Sequence, residues 1–282
     1  MTTVLISPAE LAAAINGGDD VVVLDVRWRL DQPDGRDDHA AGHIPGAVYV
    51  SLDDELAEHG APTDGRHPLP SRARLEAAAR RWGLSDGDAV VVADDLNGMS
   101  AARAWWLLRA AGVADVRILD GGLRAWRAAD LPIETGAVVP EPGDVVLGEF
   151  GAGRGALPAI GIDDVAAFPE TGLLIDARAG ERYRGEVEPI DPRAGHIPGA
   201  VNRPTGANLV SGAGFKSADA LRAEFEALGV RDDVPVAVYC GSGVTAAHQI
   251  AALAIAGFDA VLYPGSWSQW SNHADRPVQT GA

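Results

Sequence analysis

The chain has 282 residues, 47% of them hydrophobic, which suits one large domain or two of ordinary size with buried cores. Its formal net charge of -17 repels phosphate backbones and anionic membranes, so nucleic-acid and membrane partners are not expected. Any anionic substrate would have to meet a local positive site within that field.

The chain opens on Met1-Thr2-Thr3-Val4-Leu5-Ile6, without the basic start and long apolar stretch of a secretory leader. Ser7-Pro8-Ala9-Glu10 is a capping box with proline at the first helical position, and predicts a helix to about Asn16. A strand follows near 20–26, ending in Asp25-Val26-Arg27, and then comes Gly42-His43-Ile44-Pro45-Gly46-Ala47-Val48. Helices near 72–82 and 100–111 alternate with strands near 89–94 and 115–119. Asp120-Gly121-Gly122 and Trp126 close this half, and the Gly- and Pro-rich stretch 136–158 reads as a linker.

The second half repeats the first. Strand 173–177 ends in Asp176-Ala177-Arg178, and Gly195-His196-Ile197-Pro198-Gly199-Ala200-Val201 follows. Helices near 163–168, 218–228 and 245–256 interleave with strands near 235–239 and 259–263, ahead of Pro264-Gly265-Ser266 and Trp270. A period this long is too great for a solenoid and marks a duplicated domain. Apolar strands alternating with helices imply an α/β fold: two domains, each a mostly parallel sheet with helices on both faces. The expected boundaries are 1–135, a linker at 136–158, and 159–282.

The halves diverge in one loop. Aligning Gly112 with Gly257 and Ala101 with Ala246 sets Asp95 opposite Cys240, the loops being Asp95–Ser100 and Cys240–Thr245. Asp95 is unsuited to sulfur chemistry, so the first domain is expected to be inactive. Cys240 follows a strand and precedes a helix, where open α/β sheets place ligands. Gly241 and Gly243 allow a tight turn with inward amides, and the following helix adds its positive end. Such surroundings favour a thiolate, and the same amides suit the outer sulfur of a persulfide. As the only cysteine, Cys240 excludes an intramolecular disulfide and zinc sites of several thiolates. No metal site is indicated, and no Gly-rich dinucleotide motif follows a strand, so no cofactor is expected.

Two Gly-His-Ile-Pro-Gly-Ala motifs, Glu181-Arg182-Tyr183-Arg184-Gly185, a Cys-led loop in the second half and Gly265-Ser266-Trp267-Ser268-Gln269-Trp270 together resemble the tandem rhodanese-domain sulfurtransferases. The resemblance covers essentially the whole chain and implies two rhodanese-like domains with the active cysteine in the C-terminal one. Cys240-Gly241-Ser242-Gly243-Val244-Thr245-Ala246 is similar to the loop of 3-mercaptopyruvate sulfurtransferases. Thiosulfate enzymes of this family usually carry basic residues after the cysteine, where this chain has Gly241 and Ser242.

The resemblance implies a double displacement through a Cys240 persulfide, with a small-molecule sulfur donor and a thiol acceptor such as thioredoxin or a low-molecular-weight thiol, or cyanide. It implies Ser242 as a residue that polarises the substrate. It implies Gly241, Gly243, Val244 and Thr245 as substrate-binding loop residues, and Arg182 as the ligand of a substrate carboxylate. Arg193 is the nearest candidate for a second arginine, and His43 matches a histidine proposed to act in the family. A structural reading stands beside the last: His43 and His196 are duplicated while the cysteine is not, and Asp25 and Asp176 are duplicated too.

Three alternatives remain distinct at this point. A thiosulfate:cyanide sulfurtransferase would share the persulfide and differ in donor. A noncatalytic rhodanese-like binding module would leave Cys240 unmodified. A cysteine phosphatase needs an arginine near the end of its loop; none of the residues from Gly241 to Ala246 is basic. A reducing cytoplasm is the expected setting.

Overall fold

The computed structural model describes residues 3–152, 155–210 and 214–282. The chain divides into two compact units. The first comprises Met1–Ala57, Pro70–Leu157 and Leu209–Phe215, and the second Glu58–Leu69, Pro158–Asn208 and Lys216–Ala282.

These limits differ from the expected ones in three places. The stretch before residue 158, expected as a linker, belongs to the first unit through Leu157. Its described residues have almost no regular structure, yet Val145 and Leu147 are buried, and the amides of Gly143, Val145 and Gly148 donate to the carbonyls of Arg80, Leu84 and Ala111. Irregular backbone tied down this way carries no hydrophobic period. Residues 153–154 of the expected linker lie outside the described residues. Segment Glu58–Leu69 belongs to the second unit. There Arg66 N–H donates to Ser268 Oγ at 3.0 Å, and His273 Nε2 lies 3.0 Å from the Thr63 carbonyl oxygen. Segment Leu209–Phe215, in turn, belongs to the first.

In the first unit the elements are β1 (Leu5–Ile6), α1 (Pro8–Gly17), β2 (Val21–Asp25), α2 (Arg36–Ala41), β3 (Val48–Tyr49), α3 (Leu52–Glu55), α4 (Arg72–Arg81), β4 (Ala89–Ala93), α5 (Ala101–Ala110), β5 (Val116–Leu119) and α6 (Gly122–Ala128). The capping box forms at α1: Ser7 Oγ accepts from Glu10 N–H at 3.3 Å, and Glu10 Oε2 accepts from Ser7 N–H at 2.9 Å. The sheet is parallel in the order β1-β5-β4-β2-β3. Ile6, Val23, Val91, Leu119 and Trp126 share one core cluster with Leu11 of α1.

In the second unit the elements are α7 (Ile162–Ala167), β6 (Leu173–Asp176), α8 (Gly180–Tyr183), β7 (Val201–Asn202), α9 (Ala218–Leu228), β8 (Val236–Tyr239), α10 (Thr245–Ile255), β9 (Val261–Leu262) and α11 (Ser266–Asn272). Its parallel sheet runs β7-β6-β8-β9, and Ala159 bridges Leu262 in parallel where β1 stands in the first unit. The two sheets therefore have one strand order. Trp126 Nε1–H donates to the Pro132 carbonyl and Trp270 Nε1–H to the Pro277 carbonyl, so even the closing tryptophans are duplicated in their bonding.

Candidate active site

Sheet register aligns the two units independently of sequence. Asp25 pairs with Ala93 in the first sheet and Asp176 pairs with Tyr239 in the second. The residue after each central strand is thus Asp94 in one unit and Cys240 in the other. Hydrogen bonds agree: Leu123 N–H donates to the Asp94 carbonyl at 2.8 Å, and Trp267 N–H to the Cys240 carbonyl at 3.0 Å. Asp94, not Asp95, is the counterpart of Cys240, and the first loop is one residue longer than the second. Asp95 instead binds Arg29, with Oδ2 accepting at 2.9 Å.

Asp94 shows what such a loop can hold. Its carboxylate is fully buried and accepts from the amides of Leu96 and Gly98 through Oδ1 and of Ser100 and Ala101 through Oδ2, at 2.8 to 2.9 Å. Burial raises its pKa, against the pull of those four amides. The first unit thus fills its own ring of amides with a carboxylate, while the second offers a sulfur there. Cys240 is buried, and its Sγ accepts from Gly243 N–H at 3.2 Å. Gly243 has φ 76°, and a Cβ there would meet the Pro264 carbonyl oxygen at 2.4 Å, so only glycine fits.

Helix α11 holds this loop from behind. Ser268 N–H donates to the Gly241 carbonyl at 2.8 Å, as Trp267 N–H does to that of Cys240. Cys240 N–H donates to Ser266 Oγ at 3.1 Å, and Ser266 Oγ donates to the Tyr263 carbonyl at 3.0 Å. Ser266 sits at φ 54°, where its counterpart Gly122 has φ 59°. A serine is kept in a conformation that favours glycine, and its hydroxyl is what anchors the cysteine backbone.

Two polar groups flank the loop. Ser242 Oγ lies 2.8 Å from His67 Nδ1. A Cβ on Gly241 would lie 3.5 Å from Arg182 Nη1 and 3.6 Å from Arg66 Nη2, so two guanidinium edges face the residue after the cysteine. Behind them, Asp191 accepts from Arg66 Nη1 at 2.9 Å and from Arg182 Nη2 at 3.2 Å, and Glu188 accepts from Arg182 Nη2 at 2.6 Å. All these residues belong to the second unit. Val244 is buried, and Thr245 opens α10, whose positive end faces the loop.

Arg193, the candidate for a second arginine, has its guanidinium engaged elsewhere. Its guanidinium donates to the carbonyls of Trp270, Ser271, His273 and Arg276 at 2.6 to 2.8 Å, closing the turn after α11. That commitment uses four of its N–H donors, and the second guanidinium edge near Gly241 is that of Arg66. His43 is fully buried in the first unit. Its Nδ1 lies 2.8 Å from the His39 carbonyl oxygen and its ring stacks on His39 at 4.0 Å. His196 repeats this, with Nδ1 2.7 Å from the Tyr183 carbonyl oxygen and its ring 3.7 Å from that of Tyr183. Both histidines brace the loops they follow.

Arg66 and His67 escaped the sequence reading. They lie outside the repeat and outside any periodic element; the one available signal was an Arg-His pair left unexplained between two elements. Burial lowers the pKa of His196 and raises those of Tyr239 and Tyr263, so these groups stay neutral near neutral pH and serve as hydrogen-bonding struts.

The rhodanese-like domain model matches residues 7–129 and 162–273. The chain is 52% identical over 278 residues to the protein described as "Putative thiosulfate sulfurtransferase SseB" from Mycobacterium tuberculosis, covering 99% of this chain and 97% of that one. It is 40% identical over 272 residues to 3-mercaptopyruvate sulfurtransferase of Escherichia coli, covering 93% of each. The crystal structure of SseA from Escherichia coli, described with the "Rhodanese" fold of "3-mercaptopyruvate sulfotransferases", superposes with a TM-score of 0.81 at 36% identity, over 94% of this chain and 99% of that one.

Proposed function

The chain belongs to the rhodanese-like domain family and carries two copies of that domain, and from this premise we propose that it moves sulfur from 3-mercaptopyruvate to a thiol acceptor through a Cys240 persulfide. The observation that carries the choice of donor is the Ser242–His67 contact beside the cysteine. A donor with a carbonyl next to its sulfur-bearing carbon develops enolate charge on one oxygen, which that hydroxyl can meet, whereas sulfite leaving thiosulfate spreads its charge over sulfur and three oxygens.

In the first half-reaction the Cys240 thiolate attacks the donor sulfur. The sulfur–carbon bond breaks, and its electron pair passes to carbon as the pyruvate enolate. Ser242 Oγ–H donates to the carbonyl oxygen on which that charge develops, and His67 orients the hydroxyl. Arg182 and Arg66 hold the carboxylate through the guanidinium edges that face Gly241. The enolate carbon takes the proton that the donor thiol carried and leaves as pyruvate, so that Cys240 is left as a persulfide anion stabilised by Gly243 N–H and the start of α10. In the second half-reaction an acceptor thiolate takes the outer sulfur and Cys240 returns as thiolate. A low-molecular-weight thiol or the exposed thiol of a small redox protein such as thioredoxin suits this step, and it calls for a reducing compartment such as the cytoplasm. Among the described residues no helix is long and apolar enough to cross a membrane.

A second reading uses thiosulfate as donor. It is favoured by the description of the 52% identical relative as "Putative thiosulfate sulfurtransferase SseB". Initial rates on the two donors, with one acceptor thiol, decide between them. A higher kcat/KM on 3-mercaptopyruvate is expected, and a clear preference for thiosulfate overturns the proposal.

A further inference from the structure

The two arginines that face the cysteine loop do not present two charges. Asp191 has a side chain only 2% exposed and bridges them from behind, and Glu188, 3% exposed, binds Arg182 and Arg178. Arg178 in turn pairs with Asp176 at 2.6 Å. Arg66, Arg178 and Arg182 are thus matched by Asp176, Glu188 and Asp191. The Asp191 backbone N–H donates to Glu188 Oε1 at 3.1 Å, which fixes the carboxylate where it touches both guanidinium groups. The edges left facing Gly241 keep their hydrogen-bond donors while the cluster that carries them is neutral.

We propose that Asp191 is a specificity-determining residue that neutralises the Arg66–Arg182 pair, so that the site recognises one carboxylate by hydrogen bonding and gives a dianion such as thiosulfate no added Coulombic attraction. This rests on the reading of Cys240 as a sulfur carrier and names what sets its donor class. Asp191 acts through the arginines and is a positioning residue for charge, not a group that touches substrate. Its negative charge lies one guanidinium away from the bound anion. At that range, in a partly buried site, one extra unit of substrate charge feels a loss or gain of roughly tenfold in binding. Asp191 would therefore lower the attraction for a dianion about ten times more than for a monoanion.

The test is a charge cycle on the full chain. Asp191→Asn keeps the shape and removes one negative charge; Arg66→Gln removes one positive charge; the double variant restores the balance. For each, kcat/KM is measured on thiosulfate and on 3-mercaptopyruvate with the same acceptor, and folding is checked by near-UV circular dichroism. The ratio of thiosulfate to mercaptopyruvate kcat/KM is expected to rise roughly tenfold in Asp191→Asn, chiefly through KM, and to become more sensitive to salt. It should fall in Arg66→Gln and return toward the wild-type ratio in the double variant. A ratio in Asp191→Asn within about twofold of wild type, or a double variant that keeps the Asp191→Asn ratio, overturns the inference while leaving the persulfide mechanism standing. A wild-type protein that accepts sulfur from neither donor overturns the functional reading itself.

Discussion

Replacing Gly243 by alanine tests whether the cysteine loop is built as described. The residue sits at φ 76°, and the added methyl would meet the Pro264 carbonyl oxygen at 2.4 Å and its carbon at 3.1 Å. Both obstacles are backbone and cannot swing aside. The left-handed conformation costs an alanine about 1 to 2 kcal/mol, and overpacking against fixed atoms about 1 to 3 kcal/mol more. The sum, about 2 to 5 kcal/mol, is a large share of a domain's stability, so the loop is expected to shift instead of bearing all of it. A shift moves Gly243 N–H off Cys240 Sγ, now 3.2 Å away. Losing one hydrogen bond to a charged sulfur lowers kcat/KM by roughly tenfold to 150-fold. Pyruvate release under steady-state turnover and a thermal melt measure the two consequences. The neighbouring Gly241→Ala is the contrast, since its methyl would contact Arg182 and Arg66 at 3.5 and 3.6 Å, ordinary distances against movable side chains. It should melt as wild type does and raise the donor KM. A Gly243→Ala protein with wild-type melting and wild-type turnover refutes the loop geometry.

Three further outcomes follow from other parts of the structure. Asp94→Ala strands four buried amide donors in the first unit, and urea unfolding should show a loss of roughly 3 kcal/mol or more; a loss below 1 kcal/mol contradicts the amide ring described there. Arg193→Ala should lower thermal stability, because four carbonyls lose their donor, yet leave the donor KM unchanged, whereas Arg182→Ala should raise that KM at least tenfold; equal KM effects in the two variants would reverse their roles. His196 has its pKa lowered by burial, so it is neutral in both folded and unfolded chains above about pH 6.5. As the pH falls below that value the unfolded chain binds a proton that the folded one resists, and stability drops. Melting temperatures from pH 8 to 5 should fall on the acid side, and a flat profile contradicts the neutral, buried His196.

Strand and helix order was legible because apolar runs, capping signals and glycine turns repeat twice, each copy checking the other. The repeat also made Cys240 stand out, as the position where the copies disagree. It misplaced the counterpart by one residue because Asp94 and Asp95 are both carboxylates, and only hydrogen-bond register separates them. Arg182 entered only through the family resemblance carried by Glu181-Arg182-Tyr183-Arg184-Gly185, and its guanidinium edge lies near Gly241. Arg66 and His67 were not legible, since they come from a segment that breaks the order of the chain and packs within the second unit. Arg193 looked like a ligand because charge and proximity in sequence are visible, while carbonyls waiting for a donor are not.

The proposed transfer requires sulfur to become covalently bound to Cys240. Incubating the protein with 3-mercaptopyruvate in the absence of an acceptor, then measuring intact mass, should show a gain of about 32 Da, one sulfur atom, that a thiol removes. The Cys240→Ser protein should gain nothing. A wild-type protein that stays at its starting mass with every donor, or a Cys240→Ser protein that acquires the same increment, contradicts the account.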